Sequence, residues 1–364
     1  MRYDIDPDIA VARVLDPEYY ASEDAFAGTR DKVFARTWQW LGDLRDVEGA
    51  ESLAPRTLLP GLLDEPLLLA RDGHGVLRCL SNVCTHRGNL LVRAPCRAPD
   101  IRCGYHSRRF DLAGRMTFMP GFAQARGFPT PGDDLPLAAF SEWAGHGFAA
   151  LSPLASFEAM FGDVMARTAS LSPSTCVHDP SGDRDYEVAA HWALYVENYL
   201  EGFHIPYVHP GLASALDLAT YTTELFAFAS LQHALARDGE PALDGTRIAA
   251  QYWFVFPNLM LNFYPWGLSV NLVEPQTPTR TRVRFRSYVR DPALRAAGAG
   301  GALDRVERED EAVVEAVAQG VRARLYRGGR GGGHYSPAHE AGVHHFHRLL
   351  ARCLAQGAGG ESGV

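Results

Sequence analysis

The sequence contains no run approaching the ~18 apolar residues of a membrane span. Its N-terminus carries Asp4, Asp6 and Asp8 where a secretory leader would carry an apolar core. Cysteine is sparse, with six in 364 residues, at 79, 84, 96, 103, 176 and 353. Such usage excludes a disulfide-stapled scaffold and leaves cysteine as a ligand or a core residue. There is no excess of positive charge. A formal net charge of −8 argues against general binding to nucleic acid or to a membrane surface. No internal repeat is present. These absences describe a cytoplasmic protein in a reducing compartment. What is there fits two packed units: 364 residues, 46% hydrophobic and 21% charged, enough for sizeable cores.

Asp16 to Trp40 reads as a helix, with Tyr19, Tyr20, Phe26, Val33, Phe34 and Trp38 at roughly helical spacing. From Leu41 to about Pro153, short apolar runs alternate with Gly, Pro and Asp turns, which predicts a small all-β unit. Helix is expected over Phe157–Met165, strand over Asp185–Ala190, and helix again over His191–His204. Strand patterns follow in IAAQYWFVFP, LMLNFYPWGLSVNLVEP and RTRVRFRSYVR, punctuated by proline and glycine. Asp304–Tyr326 reads as a helix, residues 328–333 (GGRGGG) as a flexible loop, and Pro337–Leu354 as a closing helix. The order gives an α+β chain.

Two constellations carry chemistry. The first is Cys84-Thr85-His86, then sixteen residues, then Cys103-Gly104-Tyr105-His106. Two Cys–His pairs on separate loops suit a diiron cluster, with thiolates Cys84 and Cys103 on one iron and imidazoles His86 and His106 on the other. Neutral imidazoles lower the cluster's negative charge and raise its potential, as a relay requires. Zinc is the alternative, but zinc sites pair Cys with Cys in one arm and His with His in the other. Cys96 lies between the arms without a partner and reads as a free thiol in the intervening loop.

The second constellation is Glu197, Asn198, Glu201, His204 and His209. On one continuous helix, 197, 201 and 204 share a face, with Asn198 joining it less centrally. His209 sits about 140° further round. The imidazoles meet at one ion if the helix breaks between them, and Pro206 is placed to break it. Two histidines and a carboxylate, with positions left open, form the facial arrangement of non-heme Fe(II) oxygenases.

The loops CTHRGN and CGYHSRRFDLAGR resemble the Rieske family. The run EGFHIPYVH is similar to the catalytic motif of its oxygenases, the ring-hydroxylating type. Asn89 and Tyr105 stand where the respiratory branch carries an extra cysteine pair, which points to the oxygenase branch. The resemblance covers nearly the whole chain. It implies an N-terminal helical segment, 1–40, packed on the catalytic domain, a Rieske [2Fe–2S] domain over 41–153, and a helix-grip catalytic domain over 154–364. It makes His204 and His209 ligands of a mononuclear Fe(II). It puts Glu201 at the bridging carboxylate that links this iron to the cluster histidine of the next subunit, here His106. Glu there, in place of the commoner Asp, is found in a subgroup that includes enzymes acting on quaternary ammonium compounds. The helix ERED-EAVVEAV resembles the family's terminal motif and selects Asp310 as third ligand over Glu307 and Glu309.

The family further implies NAD(P)H electrons delivered by a flavin reductase, with or without a ferredoxin. It implies O₂ as co-substrate of a small molecule, and a homotrimer. Hydroxylation, demethylation and desaturation stay open. So do two other readings: a Rieske carrier or sensor with an inactive second site, and a zinc-structured module. Ser107 and Arg108 depart from the usual glycine and aromatic. Seven arginines between 87 and 115 suggest a basic rim for an acidic redox partner. In the stretch 258–271, Phe263, Tyr264 and Trp266 are candidates for an apolar or cation-holding pocket. His344 and His347 read as packing or capping residues.

Overall fold

The structure is a computed structural model that describes residues 3–327 and 332–355; most of the glycine-rich stretch 328–333 therefore lies outside the described residues. The chain divides into two compact units. One runs from Ala35 to Leu154; the other combines the residues up to Phe34 with those from Ala155 onward. Among the described residues, no helix is long and apolar enough to cross a membrane.

The smaller unit is all β. Glu65–Arg71 pairs antiparallel with Ser52–Leu58 on one side and Leu77–Ser81 on the other. Gln39–Asp43, His146–Ala150 and Ala139–Trp143 form a second sheet. A third is a short meander, Ile101–Arg102, Arg109–Phe110 and Met116–Phe118. Leu53, Leu68, Leu80, Ile101, Phe110 and Leu135 close one core, and Cys84 and Cys103 are packed into it. Two expectations fail here. The N-terminal helix is confined to Glu23–Lys32, capped by Ser22, and Trp40 belongs to the Gln39–Asp43 strand. Aromatic spacing near 3.6 was satisfied by residues that turns and a strand bury equally well. Cys96 lies in a short strand, Cys96–Arg97, that pairs with Ser52–Leu58, not in an irregular loop.

The larger unit is built on an eight-stranded antiparallel sheet. Its central path runs Arg280–Val289, Gly267–Thr277, Leu259–Tyr264, Ile248–Val255, Ala229–Ala236, Leu216–Leu225. Every residue of Leu259–Tyr264 is buried, as are Gly267 to Pro275, so this part of the sheet is covered on both faces. Continuous apolar runs, not alternation, are the sequence form of such strands. Helix Trp192–Tyr199 packs against helix Leu303–Gly320 and against the Gly267–Thr277 strand.

The helix expected over 191–204 stops at Tyr199. Leu200 caps it, residues 201–203 are irregular, and Ile205–Val208 and Pro210–Ala215 are separate short helices. Pro206 therefore opens a helix instead of breaking one; its missing N–H is harmless in a first turn. The helix expected over 304–326 ends at Gly320, with a further turn at Arg324–Arg327, and the last helix begins at Ala341.

Glu274 is fully buried in the Gly267–Thr277 strand and pairs with Arg282 at 2.6 Å and Arg284 at 2.8 Å across the ladder. Removing it strands two half-buried guanidiniums. Glu274→Ala should cost about 3 kcal/mol, read as a lowered denaturant midpoint of the larger unit's unfolding transition.

Candidate active site and metal centres

The two loops of the smaller unit are built alike. Cys84 N–H donates to the Asn89 carbonyl at 2.9 Å, and Gly88 N–H returns to the Cys84 carbonyl at 3.0 Å. Likewise Cys103 N–H donates to the Arg108 carbonyl at 2.8 Å, and Ser107 N–H returns to the Cys103 carbonyl at 3.0 Å. Gly88 and Ser107 occupy the same position in this turn, both left-handed, at φ 68° and 59°. Each loop thus presents a buried thiol and, two or three residues on, a half-exposed imidazole. His86 Nδ1 and His106 Nδ1 stand 3.2 Å apart, and the sulfurs of Cys84 and Cys103 are within hydrogen-bonding reach of each other.

Burial pushes the Cys103 thiol up, but backbone N–H groups of Tyr105 and His106 aimed at its sulfur outweigh this and hold it below the usual thiol range. Burial, then His106 and the Arg87 and Arg108 charges, lower the basicity of His86. Two thiols that find N–H donors, opposite two imidazoles, are the donor set a mixed Cys–His cluster needs. Arg108 corrects the basic-rim expectation. It is 2% exposed, donates to Thr85 Oγ1 at 2.7 Å and pairs with Asp133 at 3.1 Å, so it braces the two loops from inside. The other six arginines are exposed.

In the larger unit, His204, His209 and Asp310 offer ligand atoms that all lie within 4.8 Å of one another. Asp310 Oδ1 is 3.0 Å from His209 Nε2 and 3.5 Å from His204 Nε2. The far side of each ring is held by a glutamate. His204 Nδ1 meets Glu201 Oε1 at 2.6 Å, and His209 Nδ1 meets Glu309 Oε2 at 2.7 Å. A carboxylate behind each imidazole fixes ring and tautomer and turns Nε2 toward the common point. Burial pulls the His209 pKa down, but the Asp310 and Glu309 carboxylates outweigh it and leave the pKa raised. Two nitrogens and one carboxylate oxygen around one point fit a divalent iron.

Glu201 and His204 do not share a helix face, contrary to the spacing argument. The irregular residues 201–203 bend back, so that Glu201 also accepts from the His204 backbone N–H at 3.0 Å. Gly202 permits this, because a Cβ there would enter the Tyr221 ring. Asn198 Nδ2 donates to Asp310 Oδ1 at 2.5 Å and ties the two helices together. Glu197 faces away. It accepts from Tyr20 at 2.8 Å and lies 3.0 Å from His347 Nε2, whose Nδ1 is 2.6 Å from the Tyr335 hydroxyl. His344 Nε2 is 2.8 Å from the Asp6 carbonyl.

A cavity of about 100 Å³ adjoins the three donors. Leu303, Val306, Glu307 and Asp310 line it from one face of a helix, at i, i+3, i+4 and i+7. Tyr195, Tyr199, Tyr221, Tyr252 and Tyr264 supply most of its aromatic wall. Of the candidates in 258–271, Tyr264 reaches the cavity; Phe263 and Trp266 do not. Sequence reasoning missed Tyr199, Tyr221 and Tyr252, and the role of Glu309 behind His209. Glu307, considered there as a ligand, is instead a buried wall residue. Burial, reinforced by Asp310 and Glu311 against the hydrogen bond from Tyr195, pushes its pKa up to about 8.

Comparison with known proteins follows these two sites. Residues 37–130 match the Rieske [2Fe-2S] domain, and residues 179–356 match the ring hydroxylating alpha subunit (catalytic domain). The chain belongs to the Rieske oxygenases. It is 29% identical to the chloroplastic choline monooxygenase of Arabidopsis thaliana, over 95% of this chain and 85% of that one. It is 28% identical to the carnitine monooxygenase oxygenase subunit of Escherichia coli K12, over 94% of each. A quaternary ammonium Rieske monooxygenase of known structure superposes with a TM-score of 0.77 at 22% identity, covering 96% of this chain and 99% of that one. A naphthalene 1,2-dioxygenase does so at 0.70 and 16% identity, over 94% and 92%. The Rieske oxygenase is thus an oxygenase component with a [2Fe–2S] cluster and a mononuclear iron, and it takes electrons from partner proteins. A carrier with a lost second site is not favoured.

Two outcomes follow from this geometry. Ser107→Gly should stabilise the smaller unit by about 1 kcal/mol, since a non-glycine residue is held left-handed there; an unchanged midpoint in thermal unfolding would remove the strain argument. Glu309→Ala should weaken iron retention about 10–100-fold while the cluster stays intact, measured as iron lost on dialysis against a chelator, with the cluster's visible absorption as the internal control.

Proposed function

We propose that this oxygenase oxidises a small organic ammonium compound, with Cys84, His86, Cys103 and His106 holding the cluster and His204, His209 and Asp310 holding the iron. The observation that carries the reading is the convergence of both imidazole Nε2 atoms on Asp310 beside an aromatic cavity. An iron held by His204, His209 and Asp310 would supply O₂ activation there. This chain's residues do the rest. Glu201 and Glu309 keep the imidazoles oriented, Asn198 steadies Asp310, and the tyrosine wall excludes water and seats the substrate.

Three things support the substrate class. Glu201 replaces the commoner aspartate, the curated relatives are named for choline and carnitine, and the cavity is compact. Its volume is on the order of one that houses a single benzene ring, ~150 Å³, which suits a trimethylammonium head better than a polycycle. A cluster held by Cys84, His86, Cys103 and His106 would take NAD(P)H electrons from a reductase, with or without a ferredoxin. His106 and Glu201 of a neighbouring copy in a homotrimer would then connect it to the second metal site. The contacts of Glu201 with His204, and the inter-subunit electron transfer named for a structural relative, support that path.

Anaerobically reconstituted protein should contain about three irons and two acid-labile sulfides per chain and give a rhombic signal on reduction. Supplied with reductant, it should take up O₂ when an ammonium substrate is added. Glu201→Gln should stop turnover by more than about 100-fold with both metals retained. Normal turnover in that variant would refute the bridging role, and two irons per chain would refute the second site.

A further inference from the structure

The cavity wall holds one acid that the metal geometry does not use. Glu307 is 3% exposed and lines the cavity one turn before Asp310. Its Oε2 accepts from the Tyr195 hydroxyl at 2.7 Å. Its Oε1 is buried and meets no donor among the described residues. The other two carboxyls in the wall are engaged. Glu201 accepts from the backbone and faces His204 Nδ1, and Asp310 accepts from Asn198 and faces His209. A carboxyl sealed from water with one oxygen unmet stays protonated near neutral pH until a positive partner arrives to hold its charged form.

The protein supplies no such partner. Among the described residues, no lysine or arginine lines the cavity. Arg184 and Arg295 line a different cavity, with Phe285 and Leu303 standing in the walls of both, and Arg295 is paired with Asp179. Around Glu307 the cavity offers tyrosine faces, whose phenols burial raises far above neutrality, so the rings stay uncharged. Neutral aromatic faces with one carboxyl between them attract an organic cation. Apart from an iron held by His204, His209 and Asp310, the same wall gives a substrate carboxylate no cation to meet, and it adds acids to repel one.

We propose that Glu307 determines specificity as the counter-ion of an organic ammonium substrate, and that the cavity turns away ammonium compounds that also bear a carboxylate. This rests on the ammonium reading given above and narrows it to cations without an acid group.

The test is calorimetric titration of the anaerobic ferrous holoenzyme, its iron content determined on the same sample, with three probes. Choline is a cation, 3,3-dimethylbutan-1-ol is its neutral carbon isostere, and γ-butyrobetaine carries a carboxylate. Choline should bind at least about tenfold more tightly than either of the others. Glu307→Gln keeps a partner for Tyr195 and should shrink the choline preference over the neutral alcohol to about twofold, with iron content unchanged. Equal binding of γ-butyrobetaine and choline would overturn the proposal. So would equal binding of the neutral alcohol, binding of none of the three, or an undiminished preference in the variant. If the variant does not fold, the three-probe comparison on the unaltered protein decides alone. Iron-loaded protein indifferent to charge sinks this inference and leaves the metal site standing; protein that holds only the cluster irons sinks the metal reading with it.

Discussion

Two imidazoles aim at one point because a carboxylate stands behind each of them. His204 and His209 cap the two ends of one short helix, Ile205–Val208, and nothing in the backbone alone would align their rings. Glu201 and Glu309 take up each Nδ1 and leave Nε2 turned toward Asp310 on the opposite side. The rest of the larger unit is arranged around that constraint. Helix Trp192–Tyr199 must end early so that Glu201 can fold back. Helix Leu303–Gly320 must sit close enough for consecutive residues, Glu309 and Asp310, to serve the back and the front of the same ring.

The smaller unit solves a parallel problem by duplication. One turn is used twice, each copy delivering a core-buried sulfur and an outward imidazole from the same hydrogen-bond pattern. Sequence departures fall where the pattern tolerates them. Ser107 accepts a left-handed backbone that glycine adopts freely at position 88, and its hydroxyl accepts from Arg102. Arg108 replaces an aromatic brace with an ionic one, reaching Thr85 of the first loop and Asp133 beyond it.

The candidate donor residues could be picked out because residue type and spacing mark them. Cys-x-His and Cys-x₂-His arms, and H-x₄-H with an acid three before, survive any local geometry. The α+β class was legible from the change in apolar pattern near Trp40 and Pro153. Local path was less so. Periodicity ran straight through Tyr199 to His204, yet the helix stops, because burying Leu200 and folding Glu201 onto His204 is a tertiary choice that no 3.6-residue pattern records. Glu309 was read as a rival to Asp310; adjacency on a helix puts the two on different sides of one imidazole, a distinction that needs coordinates. The cavity tyrosines come from four separate segments, so no linear window could assemble them.

Gly202 joins two of these layers. Its bare backbone lies against the ring of Tyr221, which forms part of the cavity wall and whose hydroxyl donates to Gln232. The loop that carries Glu201 is thus propped by the same aromatic surface that a substrate would touch. A redesign that trims Tyr221 to widen the chamber would also remove the floor beneath that loop. Diversification of this catalyst is therefore easier along the far strands, at Tyr252 or Tyr264, where the wall does not double as scaffolding for a histidine.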